Sequence, residues 1–268
     1  VQNISHPWRI KLTAAALVSP LILAPGIATS AMLWARYEAQ TLHPDLAARR
    51  SPTVSRAIAD PAIGDIFAVW MLLVAALQAF AVYRIMQAIY RTAIVPAPHD
   101  RRPYMMSLLV LTLLGQASGI VGVVTLSQYT GSISDDLHQL GSYLLFVGNG
   151  FSIAFCGVLI WLDHTQRASY PASIPNEPAP YHFLVHTRFA GVVSVIGIVF
   201  GILYYANPAI LRMTPYVYRL AFAMCELVLL IASLVYLACF VVPMYRHERH
   251  LLTQRRPEHE PVPAAGEA

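Results

Sequence analysis

Six apolar blocks, each about 20 residues or longer, constrain this chain more than any other feature, because a helix of that length crosses the hydrocarbon of a bilayer. One of them, MCELVLLIASLVYLACFVV, holds a single charge. The composition agrees, with 57% hydrophobic residues, 12% charged residues and a mean hydropathy of +0.54. Soluble domains carry roughly twice that share of charge. A cytosolic enzyme and a disordered chain are both excluded. The fold class is therefore all-α: a polytopic membrane protein built as a six-transmembrane-helix bundle.

The spans are predicted at Leu12 to Leu33, Gly64 to Tyr90, Tyr104 to Gln128, Asp136 to Leu162, Arg188 to Tyr205, and Tyr216 to Met244. Proline-rich connections separate them. Arg9 and Lys11 ahead of the first block imitate a signal peptide, but the block is longer than a typical signal core, so it is read as a mature span. Pro20 and Pro25 are expected to kink it, and the small residues Ala24, Gly26, Ala28 and Ser30 to admit a neighbouring helix. Residues 1–246 form one transmembrane domain, and residues 247–268 read as a polar, disordered cytoplasmic tail.

Basic residues orient the bundle. Twelve of the 18 Lys and Arg lie on the side that holds both termini, and six (Arg36, Arg49, Arg50, Arg56, Arg212, Arg219) lie on the other. The excess places both termini in the cytoplasm and turns the long first connection, roughly Ala35 to Ala62, outward. Lys11 is the single lysine. This Arg-rich usage fits a high-GC bacterial genome and hence an inner, cytoplasmic membrane. The basic residues cluster at block ends, where they anchor headgroups, so no nucleic-acid partner is expected. Cys156, Cys225 and Cys239 all sit in apolar blocks and read as packing residues without a disulfide.

Glu226 is the sharpest chemical feature, because a carboxylate inside an apolar span needs a partner, a proton or water. Arg219 lies two turns earlier on the same face, suited to a lipid phosphate or to Asp135 or Asp136. Asp135, Asp136 and His138 cluster at the outward start of the fourth span. Asp135 reads as a helix N-cap, and His138 either as a local hydrogen-bonding group or as part of a site. Asn149, Gln78 and Gln116 fall near the depth of Glu226 and form a candidate buried polar network. Gly148 and Gly150, on either side of Asn149, suggest close helix contact.

The stretch SPTVSRAIADPAIGDIFAVW, Ser51 to Trp70, carries a turn or cap pattern at Pro52, Thr53 and Ser55. Arg56 and Asp60 stand four apart on a short helix, and Asp65 begins the second span. No cofactor and no metal are expected. His138 and His164 lie at opposite ends of one helix, about 39 Å apart, too far to share a haem. His164, His182 and His186 could gather on the cytoplasmic side. The chain lacks nucleotide-binding, serine-hydrolase and metalloprotease motifs.

Three of these places resemble the FRAG/DRAM/SFK family of six-helix membrane proteins. That family includes autophagy modulators, GPI-anchor lipid-remodelling factors and the N-terminal part of the Cwh cell-wall proteins. PTVSRAIADP followed by IFAVW is similar to its outer-loop signature, with Thr53 where a serine is expected. DDLHQLGSYLLFVGNGFSIAFCGVLIW resembles its fourth helix through His138, Gly141 and Trp161, and FAMCELVLL its sixth through Glu226. The resemblance implies six helices, both termini inside, and a link to lipid remodelling or organisation. It does not imply a GPI substrate.

The reading is a protein that binds, remodels or organises membrane lipids through an outward-facing polar pocket. Arg56, Arg219, Thr53 and Ser55 would hold the headgroup, and His138, Asp136 and Glu226 would line the pocket. As an enzyme, it would transfer or hydrolyse acyl groups with His138 as general base. The alternative is a non-enzymatic scaffold or accessory subunit with a membrane-protein or homo-oligomeric partner. A proton-coupled transporter using Glu226 is a third reading, and no inverted repeat supports it.

Overall fold

The computed structural model describes residues 7–45, 53–130, 133–169, 178–205, 211 and 213–254. Among these it is all helical. The elements are α1 (Pro7–Val18), α2 (Pro20–Leu42), α3 (Val54–Ala57), α4 (Pro61–Ile89), α5 (Arg102–Gln128), α6 (Asp135–Ser169), α7 (Phe183–Tyr205), α8 (Pro215–Ala238) and α9 (Val241–Gln254). A π-helical turn, Tyr90–Ile94, extends α4. Five helices are long and apolar enough to cross a membrane, and α1 with α2 makes a sixth if the bent pair is one span.

Proline opens α2, α4 and α8, where its missing N–H costs nothing because the first-turn donors have no partner within the helix. The first span bends by 42° between α1 and α2, at Ser19–Pro20. Pro25 does not break it and lies buried inside α2. The sixth span turns at Cys239 and Phe240 and continues as α9, which packs on α1. Residues 247–254, read from the sequence as the start of a tail, are therefore helical, and His247 and Glu248 are buried. The fourth span also runs further than its apolar block, to Ser169. Arg49, Arg50, Ser51, Pro52, Arg212 and residues 255–268 lie outside the described residues.

The tightest seam joins α5 to α6, and glycine makes it. A Cβ on Gly148 would stand 2.8 Å from the carbonyl oxygen of Gly115 and 2.9 Å from the amide nitrogen of Gly119. A Cβ on Gly141 would meet the Leu126 backbone at 2.6 Å. Such close backbone approach suits association in lipid, where contact must come from packing rather than from hydrophobic exclusion. Two hydroxyls cross the same seam, Ser118 Oγ to the Leu144 carbonyl at 3.2 Å and Ser152 Oγ to the Thr112 carbonyl at 2.9 Å.

Two buried apolar clusters fill the bundle. One, around Phe67, Met71, Ile58 and Ala35, lies towards α3. The other, around Ile85, Ile160, Phe240 and Met244, lies towards the opposite end. The short α3 is part of the first cluster, with Val54, Ala57 and Ile58 all buried. The α3 turn thus enters the bundle instead of lying over it.

Candidate functional site

Thr53 starts the site. Its hydroxyl accepts the Arg56 N–H at 3.2 Å, the bond of an N-cap, and this winds Val54–Ala57 into a single turn. That turn directs the Val54 N–H and the Ser55 hydroxyl at Glu226 of α8. Val54 N–H donates to Glu226 Oε2 at 3.2 Å, and Ser55 Oγ donates to Oε1 at 3.1 Å. Glu226 is 4% exposed, so it faces its protein neighbours and not the acyl chains. Arg36 of α2 and Arg56 of α3 are its electrostatic partners. A buried carboxylate with both oxygens engaged and cations nearby has the compensation it needs.

Glu226 thereby fastens α3, and α3 forms one wall of a cleft. The cleft has a volume of about 410 Å³ and is lined by Thr53, Ser55 and Arg56 from the α3 region, Tyr204 from α7, and Tyr218, Arg219 and Phe222 from α8. Arg56 and Arg219 are both exposed. Among the described residues neither forms an ion pair. All four residues read from the sequence as headgroup ligands therefore meet in one cavity. Tyr204, Tyr218 and Phe222 were not legible as members, since aromatic residues at helix ends are common in membrane proteins.

The other candidates fall elsewhere. Among the described residues, His138, Asp136 and Glu226 share no hydrogen bond, and none of the three lines the cleft. His138 is buried, and its Nδ1 donates to the Tyr129 carbonyl at 3.1 Å, tying the start of α6 to the end of α5. A carbonyl can only accept, so Nδ1 carries the proton. Asp136 is exposed. Asp135 is the first helical residue rather than the cap; the Ser134 hydroxyl takes the capping place, accepting from Leu137 N–H at 3.4 Å, and Asp135 accepts from the Gln139 amide at 3.0 Å. Arg219 pairs with neither aspartate among the described residues.

Asp60 does not pair with Arg56. It caps α4 through the Ala62 N–H at 2.9 Å and accepts from His43 Nε2 at 2.9 Å. The His43 hydrogen bond, followed by the Ala62 amide, holds the Asp60 carboxyl below its ordinary value. Asp65 lies inside α4, which starts four residues earlier, at Pro61.

Gln78, Gln116 and Asn149 surround a separate central cavity of about 90 Å³. Gln78 Nε2 donates to Gln116 Oε1 at 3.4 Å, and Asn149 packs on Gly119. Glu226 does not line this cavity, because α3 occupies it from the other side.

The end opposite α3 carries a polar group that the sequence reading missed. Asp163 accepts from Arg167 Nε at 2.7 Å and from the Tyr181 hydroxyl, and Arg167 Nη2 donates to the Thr92 carbonyl at 2.6 Å. Arg84 pairs with Glu248. The i, i+4 spacing of Asp163 and Arg167 was the available signal. His186 is enclosed by Tyr181, Tyr236 and Phe240, and its Nδ1 donates to the His182 backbone carbonyl at 2.7 Å, so His182 and His186 are neighbours. His164 stacks apart from them on Phe183, with ring centroids 3.7 Å apart.

A family model described as the Frag1/DRAM/Sfk1/Cwh43P N-terminal domain matches residues 16–247. The chain belongs to this family. The match runs from α1 into α9 and so takes in the cleft, Glu226 and the Asp163–Arg167–Tyr181 group alike. No curated protein and no solved structure matches the chain. This Frag1/DRAM/Sfk1-type chain is an integral, multi-pass membrane protein by its apolar helices and its family.

Proposed function

We propose that this family member binds membrane lipids by an anionic headgroup held between Arg56 and Arg219, with α3 turned outward as the Lys and Arg count has it. The observation that carries this is the pair of exposed guanidinium groups on one cleft, brought together from α3 and α8. A guanidinium presents a fork of donors that matches phosphate oxygens, and its charge is permanent. The Ser55 hydroxyl donates to Glu226, while the Thr53 hydroxyl accepts the Arg56 amide and keeps its own O–H. The arginines supply the charged donors, neither forming an ion pair among the described residues, and Thr53 adds one neutral O–H. Remodelling or organisation of lipids would follow from such binding. Glu226 acts here as a positioning residue: it holds α3, and α3 holds Arg56.

Native mass spectrometry of gently solubilised protein tests the reading. Wild type is expected to retain an anionic phospholipid. The double variant Arg56→Gln/Arg219→Gln is expected to fold normally and lose that lipid by roughly tenfold or more, as expected for removing charge-assisted bonds from an exposed site. Equal retention by both proteins would support the alternative, a non-enzymatic scaffold in which Glu226 and α3 serve packing alone.

A further inference from the structure

A groove on the bundle surface adjoins the cleft, and its shape indicates what the headgroup is attached to. It runs between α6, α7 and α8 with a volume of about 330 Å³. That lies within the size of small-molecule sites, about 300–1,000 Å³. Its walls include Phe146, Val147, Ile198 and Leu229. Two hydroxyls on the wall are already spent on their own helices, Ser194 to the Ala190 carbonyl and Ser233 to the Leu229 carbonyl, both at 2.8 Å.

Glycine shapes this groove in a way opposite to the α5–α6 seam. A Cβ on Gly150 or Gly201 would meet nothing within 4 Å, and one on Gly197 would meet only Leu229 Cδ1 at 4.0 Å. These glycines bring no helix closer; they leave space that protein does not fill. Gly150 thus departs from the sequence expectation of helix contact, while its neighbour Gly148 meets it.

Two further observations select the occupant. On α6 the lining runs from Ser142 to Ala154 and on α7 from Val193 to Tyr205. At the helical rise each stretch is about 18 Å long, little more than one leaflet of a hydrocarbon core about 30 Å thick. Tyr204 lines both the groove and the cleft, and packs on Phe222 of the cleft at 6.1 Å between centroids. The groove, mostly apolar but with Asn149 and Tyr143 on its wall, and the two-arginine cleft therefore meet at Tyr204. A cationic head joined to a one-leaflet apolar groove complements a single molecule class.

We propose that the groove seats an acyl chain of the same anionic glycerophospholipid whose phosphate lies between Arg56 and Arg219. The inference rests on the headgroup reading above and adds the chain to it. The cleft then selects an intact long-chain lipid over a water-soluble phosphate.

The test uses the full-length protein and three probes: dioleoyl phosphatidylglycerol, dihexanoyl phosphatidylglycerol and glycerol phosphate. Gly201→Leu and Gly150→Leu fill the groove where the structure has room. Each is expected to weaken retention of the dioleoyl lipid roughly tenfold, by displacing several buried methylenes, and to leave dihexanoyl binding unchanged. Wild type should also crosslink a phosphatidylglycerol bearing a mid-chain diazirine within residues 142–154 and 193–205, a readout that needs no variant. Full dioleoyl retention by well-folded variants, or crosslinks spread evenly over the lipid-facing helices, would overturn the acyl-chain assignment while the headgroup reading stands. Glycerol phosphate competing as well as the lipid would overturn it too. If wild type binds neither phosphatidylglycerol, the headgroup reading itself fails.

Discussion

The two ends of the bundle use charge in opposite ways. At the end away from α3, opposite charges close on each other. Asp163 is 2% exposed and held by Arg167 and Tyr181, Arg167 reaches on to the Thr92 carbonyl, and Arg84 meets Glu248. At the α3 end the buried carboxylate, Glu226, is met by a backbone amide and a hydroxyl. Arg56 and Arg219 are left facing a cleft. Satisfying a carboxylate's oxygens with neutral donors leaves the Arg56 guanidinium in the cleft rather than bonded to Glu226. Satisfying it with an arginine spends that arginine on the fold. The first arrangement suits a site and the second a fastening.

Substitutions can break this contrast or sharpen it. The largest effect is expected for Asp163→Ala, which leaves the Arg167 guanidinium part-buried without its carboxylate. Removing one partner of a buried pair costs about 3–5 kcal/mol. Thermal unfolding in detergent should show a marked loss, with lipid retention falling only in proportion to unfolded protein. A mild effect would mean that the closed end is no fastening.

Glu226→Ala comes next. It strips the Val54 amide of its buried acceptor, at a cost of about 1–3 kcal/mol for an unsatisfied group. Because α3 is released, lipid retention should fall more than stability does. Glu226→Gln keeps one acceptor oxygen and the side-chain shape, and should recover most of both. If Glu226→Ala lowered stability with lipid retention untouched, the two ends would be alike.

Arg219→Gln should change stability by no more than about 0.5 kcal/mol, the usual range for an exposed side chain, since Arg219 forms no ion pair among the described residues. Its effect should appear in anionic lipid retention alone. A large loss of stability would show that Arg219 belongs to the fold.

The smallest effect is a pH dependence at Asp60. Its carboxyl is held below the ordinary value by His43 and the Ala62 amide, so its contribution is complete above an unfolded carboxylate pKa of about 3.9. The contribution is lost as the pH falls through the lower folded value. Asp60→Asn should flatten the acid limb of a stability-against-pH curve slightly, and leave neutral pH nearly unchanged because the pair is exposed. A shift at neutral pH would contradict this.

Some of the site was legible before any fold. Thr53, Ser55 and Arg56 form a cap-and-turn pattern readable over four residues, and the capped turn is present. Glu226 was conspicuous because a lone carboxylate inside an apolar span demands a partner. The identity of that partner was not legible. Depth along the helices groups Glu226 with Asn149, Gln78 and Gln116 as one candidate network. The α3 turn enters the bundle, so Glu226 meets Ser55 across 171 residues of sequence while the three amides line a central cavity that Glu226 does not reach. Gly148 and Gly150 make the same point at closer range. Both are glycines beside Asn149, yet one touches α5 and the other borders open space.

Apolar block length and proline placement settled by themselves that this chain is a bundle of membrane-crossing helices and roughly where each begins. Those are local properties, written within one helix at a time. Which face of each helix meets which neighbour was decided only by the assembled fold. Lipid tails are as apolar as leucine, so hydrophobicity does not mark the contacting face. Backbone approach at glycine and a few polar bonds mark it instead, and these form only when distant segments have come together.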